Sequence, residues 1–275
     1  MSRRVCLVLA SLLLAIGLVL SSSYGWGQSA ERLITNKAVD TLPDEMLPFF
    51  EANRQFLVEH VTSPEGVKPE DHTDFIQLDH YGQFPFSALP RSYSLASLKY
   101  TKRVLVQYGV LPWQIGIESA KLTDNFRAHE WGEAKLSAAA LAHFVAAADD
   151  PFNTTVNFDG HLSDQPGVNQ RYNTGLIDRY QLFFFVKANQ ASYIPEPTER
   201  AFDMCLEAHS WLENILLADR RAHQGLTDYG DDYYDHFYAQ AGAVLIRQLS
   251  DASTDVGSYW MTAWINAGRP QLPSH

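Results

Sequence analysis

Apolar positions recur at three- and four-residue spacing along most of this chain, the period of amphipathic helices. Over 30–41, Leu33, Ile34 and Ala38 lead to Leu42 on one stripe. Pro43 breaks that run and opens a second helix through Phe49, Phe50, Phe56, Leu57 and Val61. Residues 62–92 are punctuated by Pro64, Gly66, Pro69, Gly82, Pro85 and Pro90 and read as loop. Residues 94–108 form a helix closed by Gly109. Pro112 opens the next, through Ile115, Ile117, Leu122 and Phe126. The stretch 130–148 is rich in alanine, and small side chains on most faces mark a central helix that its neighbours approach closely. A polar loop over 149–166 separates it from helices near 167–189, 197–223 and 231–267. The last begins on Asp231, Asp232 and Asp235, which suit the positive end of a helix. With Asp228 and His236 they read as a solvated helix end rather than a metal patch. The aromatic run Phe183-Phe184-Phe185 reads as core. No repeat or linker interrupts the pattern, so the economical architecture is a single all-α, multi-helix domain.

The amino end follows a different pattern. Arg3 and Arg4 precede an apolar run over 5–20, and Ser21, Ser22, Ser23 and Gly25 follow. A basic start, an apolar centre and small residues at the end describe a secretory signal. Ser23 and Gly25 place the cut before Trp26, which divides the chain into a signal over 1–25 and a mature domain over 26–275. The apolar run falls short of the roughly 20 residues that a spanning helix needs; an uncleaved anchor is the alternative. The expected destination is outside the cytoplasm, periplasmic or extracellular. No other run is long enough to span a membrane.

Charge narrows the partners. The chain carries 21 basic and 32 acidic residues, a net charge of −11, and Arg3 and Arg4 lie before the expected cut. Such a balance argues against duplex nucleic acid as a partner, since tracking phosphates draws on clustered Lys and Arg. Cys6 lies in the signal and leaves Cys205 alone, so the mature chain forms no internal disulfide. No Ser-His-Asp order with a nucleophile elbow, Gly-rich phosphate loop or paired-Cys zinc motif occurs.

Four segments, in order, carry a family resemblance. The first is Trp26-Gly27 with the helix ending Ala38-Val39-Asp40-Thr41-Leu42-Pro43. The second is Phe75-Ile76-Gln77-Leu78-Asp79-His80-Tyr81-Gly82. The third runs over 142–155 and contains His143, Ala147, Asp149-Asp150-Pro151 and Asn153-Thr154-Thr155. The fourth is the tail Trp260-Met261-Thr262-Ala263-Trp264-Ile265-Asn266-Ala267-Gly268-Arg269-Pro270. Together they resemble a bacterial branch of the zinc-dependent phospholipase C and single-strand-specific nuclease superfamily. The resemblance implies an all-helical domain with a trinuclear zinc cluster held by His, Asp and Glu side chains and by the amine and carbonyl of a terminal Trp. Clustered zinc polarises a phosphoryl oxygen and supplies a hydroxide nucleophile at neutral pH.

Carried over residue by residue, that ligand set is largely gone. The terminal Trp falls at Trp26. The first-helix His falls at Glu31, which retains the ability to bind zinc. A loop His falls at Asp74, with Asp71 and His72 close by. The central-helix His is kept as His143, but the bridging Asp one turn later is Ala147. The next His falls at Asn153, and the final His-x-x-x-Glu pair falls at Asn169 and Asn173. Amide oxygens suit hard ions better than zinc. The expectation is a pseudoenzyme that binds an unidentified ligand or protein in the old cleft, with no cofactor. The alternative is a metal-dependent phosphodiester hydrolase with a reduced site, in which a single zinc or other divalent ion sits on Trp26, Glu31, Asp71, His72, Asp74 and His143. Bland readings stand beside these: His143 as a hydrogen-bonded core residue, Glu31 as a helix-start acid, and the three asparagines as a buried amide network.

Overall fold

A computed structural model describes residues 25–65, 67, 68 and 71–274. The signal read over 1–25 therefore lies outside the described residues, apart from Gly25. Helices and short helical turns make up the regular structure, and no strand occurs among the described residues. In chain order they are α1 (Gln28–Val39), α2 (Leu47–Ala52), α3 (Arg54–His60), α4 (Tyr93–Tyr100), α5 (Lys102–Gln107), α6 (Leu111–Ala128) and α7 (Trp131–Ala148). Then follows α8, a run over 168–180 made of Val168–Gln170, a π-helical Arg171–Leu176 and Ile177–Tyr180. Helices α9 (Pro197–His209), α10 (Leu212–His223) and α11 (Asp231–Asn266) complete the fold. None of the described helices is long and apolar enough to cross a membrane.

The alanine-rich helix α7 is central, as its composition predicts. It packs on α1, α3, α6 and α11, and α11 in turn covers α1, α6 and α10. Ala134, Ala138, Ala139, Ala142, Ala146 and Ala148 are all buried. Methyl-sized side chains let neighbours reach the α7 backbone itself. The indole Nε1 of Trp260 donates to the Ala138 carbonyl at 2.9 Å, and that of Trp26 donates to the Ala146 carbonyl at 2.8 Å.

Several long helices read from periodicity are broken. The helix read over 94–108 divides at Thr101, whose φ of 65° lies in the left-handed region and whose hydroxyl accepts from the Val104 amide. The one read over 43–61 starts at Leu47 and divides at Asn53; the one over 197–223 divides at Ser210 and Trp211. Apolar spacing continues across each break because the same face stays against the core, so periodicity alone does not register it.

The helix read over 167–189 ends in a turn over Gln181–Phe183, and the chain then runs as a strap without regular structure to the start of α9. This corrects the reading of Phe183-Phe184-Phe185 as core. Only Phe184 packs inward, against Tyr238, while Phe183 and Phe185 are 75% and 79% exposed. Side chains alternate in extended backbone, so consecutive residues cannot all face the core. The strap is held by hydroxyls on α11. The amides of Lys187, Asn189, Ser192 and Ile194 donate to Ser250, Thr254, Ser258 and Thr262 at 2.9–3.1 Å.

The packing of α7 generates a stability test. Ala138→Leu places three extra carbons where Trp260 meets the helix. It should cost about 1–3 kcal/mol by overpacking, read as a lower urea midpoint at unchanged slope, whereas a leucine at exposed Glu133 of α7 should cost far less.

Candidate functional site

Ala147, Asn153, Asn169 and Asn173 are gathered where the start of the described chain meets the ends of α7 and α8. Trp26 is buried, and its indole bond to α7 fixes the backbone on either side of it. The Gly27 amide donates to the Asn173 carbonyl at 3.4 Å. A Cβ on Gly27 would lie 2.6 Å from the Thr174 hydroxyl and 3.1 Å from the Asn173 carbonyl, so a larger residue there requires its neighbours to shift. Gly25, with φ of +96°, sits against Asn153: a Cβ on it would meet the Asn153 Nδ2 at 3.2 Å.

Around this segment the side chains are amides and one carboxyl. Asn153 Nδ2 donates to the Ala147 carbonyl at 3.0 Å. Asn173 Nδ2 lies 2.6 Å from Asp150 Oδ2, 2.8 Å from Asn169 Oδ1 and 3.5 Å from the Gly25 carbonyl. The π-helical turn carries Asn173 and faces it toward Asn169, a local widening often seen at functional sites. The backbone of Asn153 is tied in as well, its carbonyl accepting from Ile76 at 2.8 Å. Asn153, Asn169, Asn173 and Asp150 are all buried. Asn169 and Asn173 thus pair with each other, while the Asn153 side chain bonds to the α7 backbone.

Asp150 is the member that ligand carry-over misses, because it matches no metal position. Its only sequence signal is an Asp just before Pro151 at the end of the alanine helix. Its Oδ1 accepts from the Phe152 amide at 2.9 Å and caps the next turn. Burial pushes its carboxyl up to about 7, against the lowering pull of the Phe152 amide and Asn173. Its neighbour Asp149 is also raised, by burial and by Asp255, with Arg200 pulling the other way.

One turn earlier on α7 lies the second group. His143 Nδ1 is 2.8 Å from Glu31 Oε1. Burial disfavours the charged ring, but Glu31, with Asp74 and a hydrogen bond to the Val61 backbone, outweighs it and holds His143 above its ordinary pKa. Asp74 is raised by burial, with His143 and His72 opposing the rise. Of the residual candidates the structure thus brings Glu31 and His143 into contact, with Asp74 near. His72 Nδ1 instead donates to the Val106 carbonyl at 3.0 Å, and Asp71 is exposed. Among the described residues no three His, Cys, Asp or Glu side chains come together as a metal-holding group. A metal at His143 would first have to displace the proton that Glu31 stabilises. The acids at the start of α11 are open to solvent, as a solvated helix end requires.

This fold is similar to a solved one. The crystal structure of the alpha-toxin of Clostridium perfringens from an avian strain superposes with a TM-score of 0.53 over 90% of this chain and 67% of the toxin chain, at 13% identity. The likeness shows the all-helical, phospholipase C-like fold and nothing finer. No family model matches the chain. No curated protein matches it either.

The raised Asp150 carboxyl sets a pH dependence. Its folded pKa of about 7 lies above the unfolded value of 3.8, so the folded state binds the extra proton. That contribution is whole below pH 3.8 and is lost as pH rises toward 7. In a chain retaining 21–25, Asp150→Asn should therefore gain stability relative to the parent between pH 5 and pH 8, on the order of a few kcal/mol. Urea unfolding at both pH values checks it; a gap that stays constant would contradict the shift.

Proposed function

We propose that this chain is an exported protein that uses the phospholipase C-like fold to bind a ligand or protein partner in the old cleft, without cutting phosphodiesters. The observation that carries the reading is the convergence of the substituted positions. Ala147, Asn153, Asn169 and Asn173 meet one another through hydrogen bonds, directly or through Asp150 and the chain start. Zinc in a cluster needs anionic and imidazole ligands to offset its charge and its lost hydration. Here the same place offers neutral amides, a methyl group and one carboxyl. The substitutions form a set, each supplying hydrogen-bond partners for the others.

A reduced hydrolase is the second reading, favoured by the contact of His143 with Glu31 beside Asp74. There a single divalent ion would take the imidazole and the two carboxylates. Removal of the signal before Trp26 and release from the cytoplasm belong to both readings.

Elemental analysis separates them. Protein purified from the exported fraction without chelator should hold no trinuclear zinc complement and should turn over neither phospholipid head groups nor single-stranded nucleic acid. Restoring Ala147→Asp, Asn153→His, Asn169→His and Asn173→Glu together should bring zinc back. Turnover that is abolished both by a chelator and by His143→Ala would establish the reduced hydrolase instead.

A further inference from the structure

The hydrogen-bond count around Gly25 does not close. Asn173 Nδ2 has two hydrogens and three acceptors: Asp150, Asn169 and the Gly25 carbonyl. Meanwhile Asn153 Oδ1 and Asn173 Oδ1 are buried without a hydrogen-bond partner among the described residues. Asp150 is fully buried, and among the described residues the groups that act on its carboxyl include no cation. Asn153 and Asn173 are each 1% exposed, so water does not substitute for the missing donors at the surface. Orphaned oxygens and an unpaired carboxyl are costly in such surroundings. What the cluster lacks is one positive charge carrying several N–H donors, at the place where Gly25 joins Trp26.

We propose that Asp150, Asn153 and Asn173 form an ammonium site, and that its ligand is the chain's own α-ammonium at Trp26, freed by hydrolysis of the Gly25–Trp26 bond. A processing peptidase supplies the catalysis and water supplies the atoms. The C–N bond breaks, hydroxyl goes to the Gly25 carbonyl carbon, and hydrogen goes to the Trp26 nitrogen, which takes a further proton near neutral pH. Gly25 and Trp26 are both buried, so the cut precedes folding, as signal removal during export would.

Three features favour this occupant. The Trp26 nitrogen is already positioned, because the indole is held by Ala146 and the next amide by the Asn173 carbonyl. Departure of Gly25 removes the third acceptor from Asn173 Nδ2 and leaves two hydrogens for two acceptors. It also opens the space beside Asn153, whose Oδ1 lies 3.7 Å from the position of a Gly25 Cβ while its Nδ2 stays on Ala147. One carboxylate then balances one ammonium, where a divalent ion would be left with excess charge.

The proposal rests on the processing expected of an exported chain and is separable from the absence of hydrolysis. Two forms of the protein test it, one beginning at Trp26 and one retaining 21–25. In the first, the terminal amine should react with an acylating reagent at pH 7 at least ~10-fold more slowly than in the urea-unfolded chain, the effect of a pKa raised by one unit or more. This form should also melt about 5 °C higher than the other, and Asp150→Asn should erase that difference. A freely reactive amine, or equal melting of the two forms, overturns the proposal without needing any variant. Stoichiometric uptake of zinc or calcium that is lost on acetylating Trp26 also overturns it, since the amine then serves a metal. An exported chain that begins at another residue overturns it too, and leaves the non-hydrolytic reading to its own metal analysis.

Discussion

Close approach to the backbone of α7 is the constraint on which the remaining structure depends. A helix presenting methyl groups exposes its carbonyls to neighbouring side chains, and two indoles use that access. Trp260 fixes the long helix α11 at one level, and Trp26 fixes the start of the described chain at another, two turns further on. Each carbonyl already belongs to the helix ladder, so each indole bond is an added, shared one, common where donors reach helix backbone. The four segments that carry the family resemblance are the ones that meet here. The second reaches the third through Ile76 on Asn153 and through Asp79, which accepts from the Thr155 hydroxyl and the Val156 amide. The resemblance is thus a record of contact among elements as much as of chemistry.

That distinction explains how the frame and the site diverge. The packing residues hold the frame through indole bonds and alanine contacts, independently of the polar cluster. The polar residues at the ends of α7 and α8 depend instead on one another, through the π-helical turn, the Asp150 carboxyl and the buried amides. The second group, His143 with Glu31, keeps its charge within a pair. The Glu31 carboxylate beside the imidazole raises the ring's pKa against the effect of burial.

Much of the fold was legible in the sequence, because alanine content, helix starters and apolar period act locally. The centrality of α7 and the extent of α11 follow from these. The breaks at Asn53, Thr101 and Ser210 did not, since each keeps its apolar face on the core and changes only the backbone. Of the site, the spacing of Asn169 and Asn173 and the place of His143 were visible, while the part played by Asp150 was not. A lone acid next to a proline looks like a turn residue until its burial is known. The strap after Phe183 left a trace that periodicity of apolar residues ignores: Ser250, Thr254, Ser258 and Thr262 recur every fourth residue on one edge of α11.

Those hydroxyls make the strap and the helix into two scales laid side by side. Four helical residues advance about 6 Å, whereas two extended residues advance about 6.6 Å. The graduations coincide at Lys187, Asn189, Ser192 and Ile194, in steps of two, three and two residues. The longer step falls where Ala191 turns its amide away to the Thr41 carbonyl. There the strap takes up the slack, and there it touches the end of α1. The vernier therefore measures more than the strap itself: with both scales of fixed pitch, the one adjustable interval is the one that gauges the distance from α11 to the helix that begins just after Trp26.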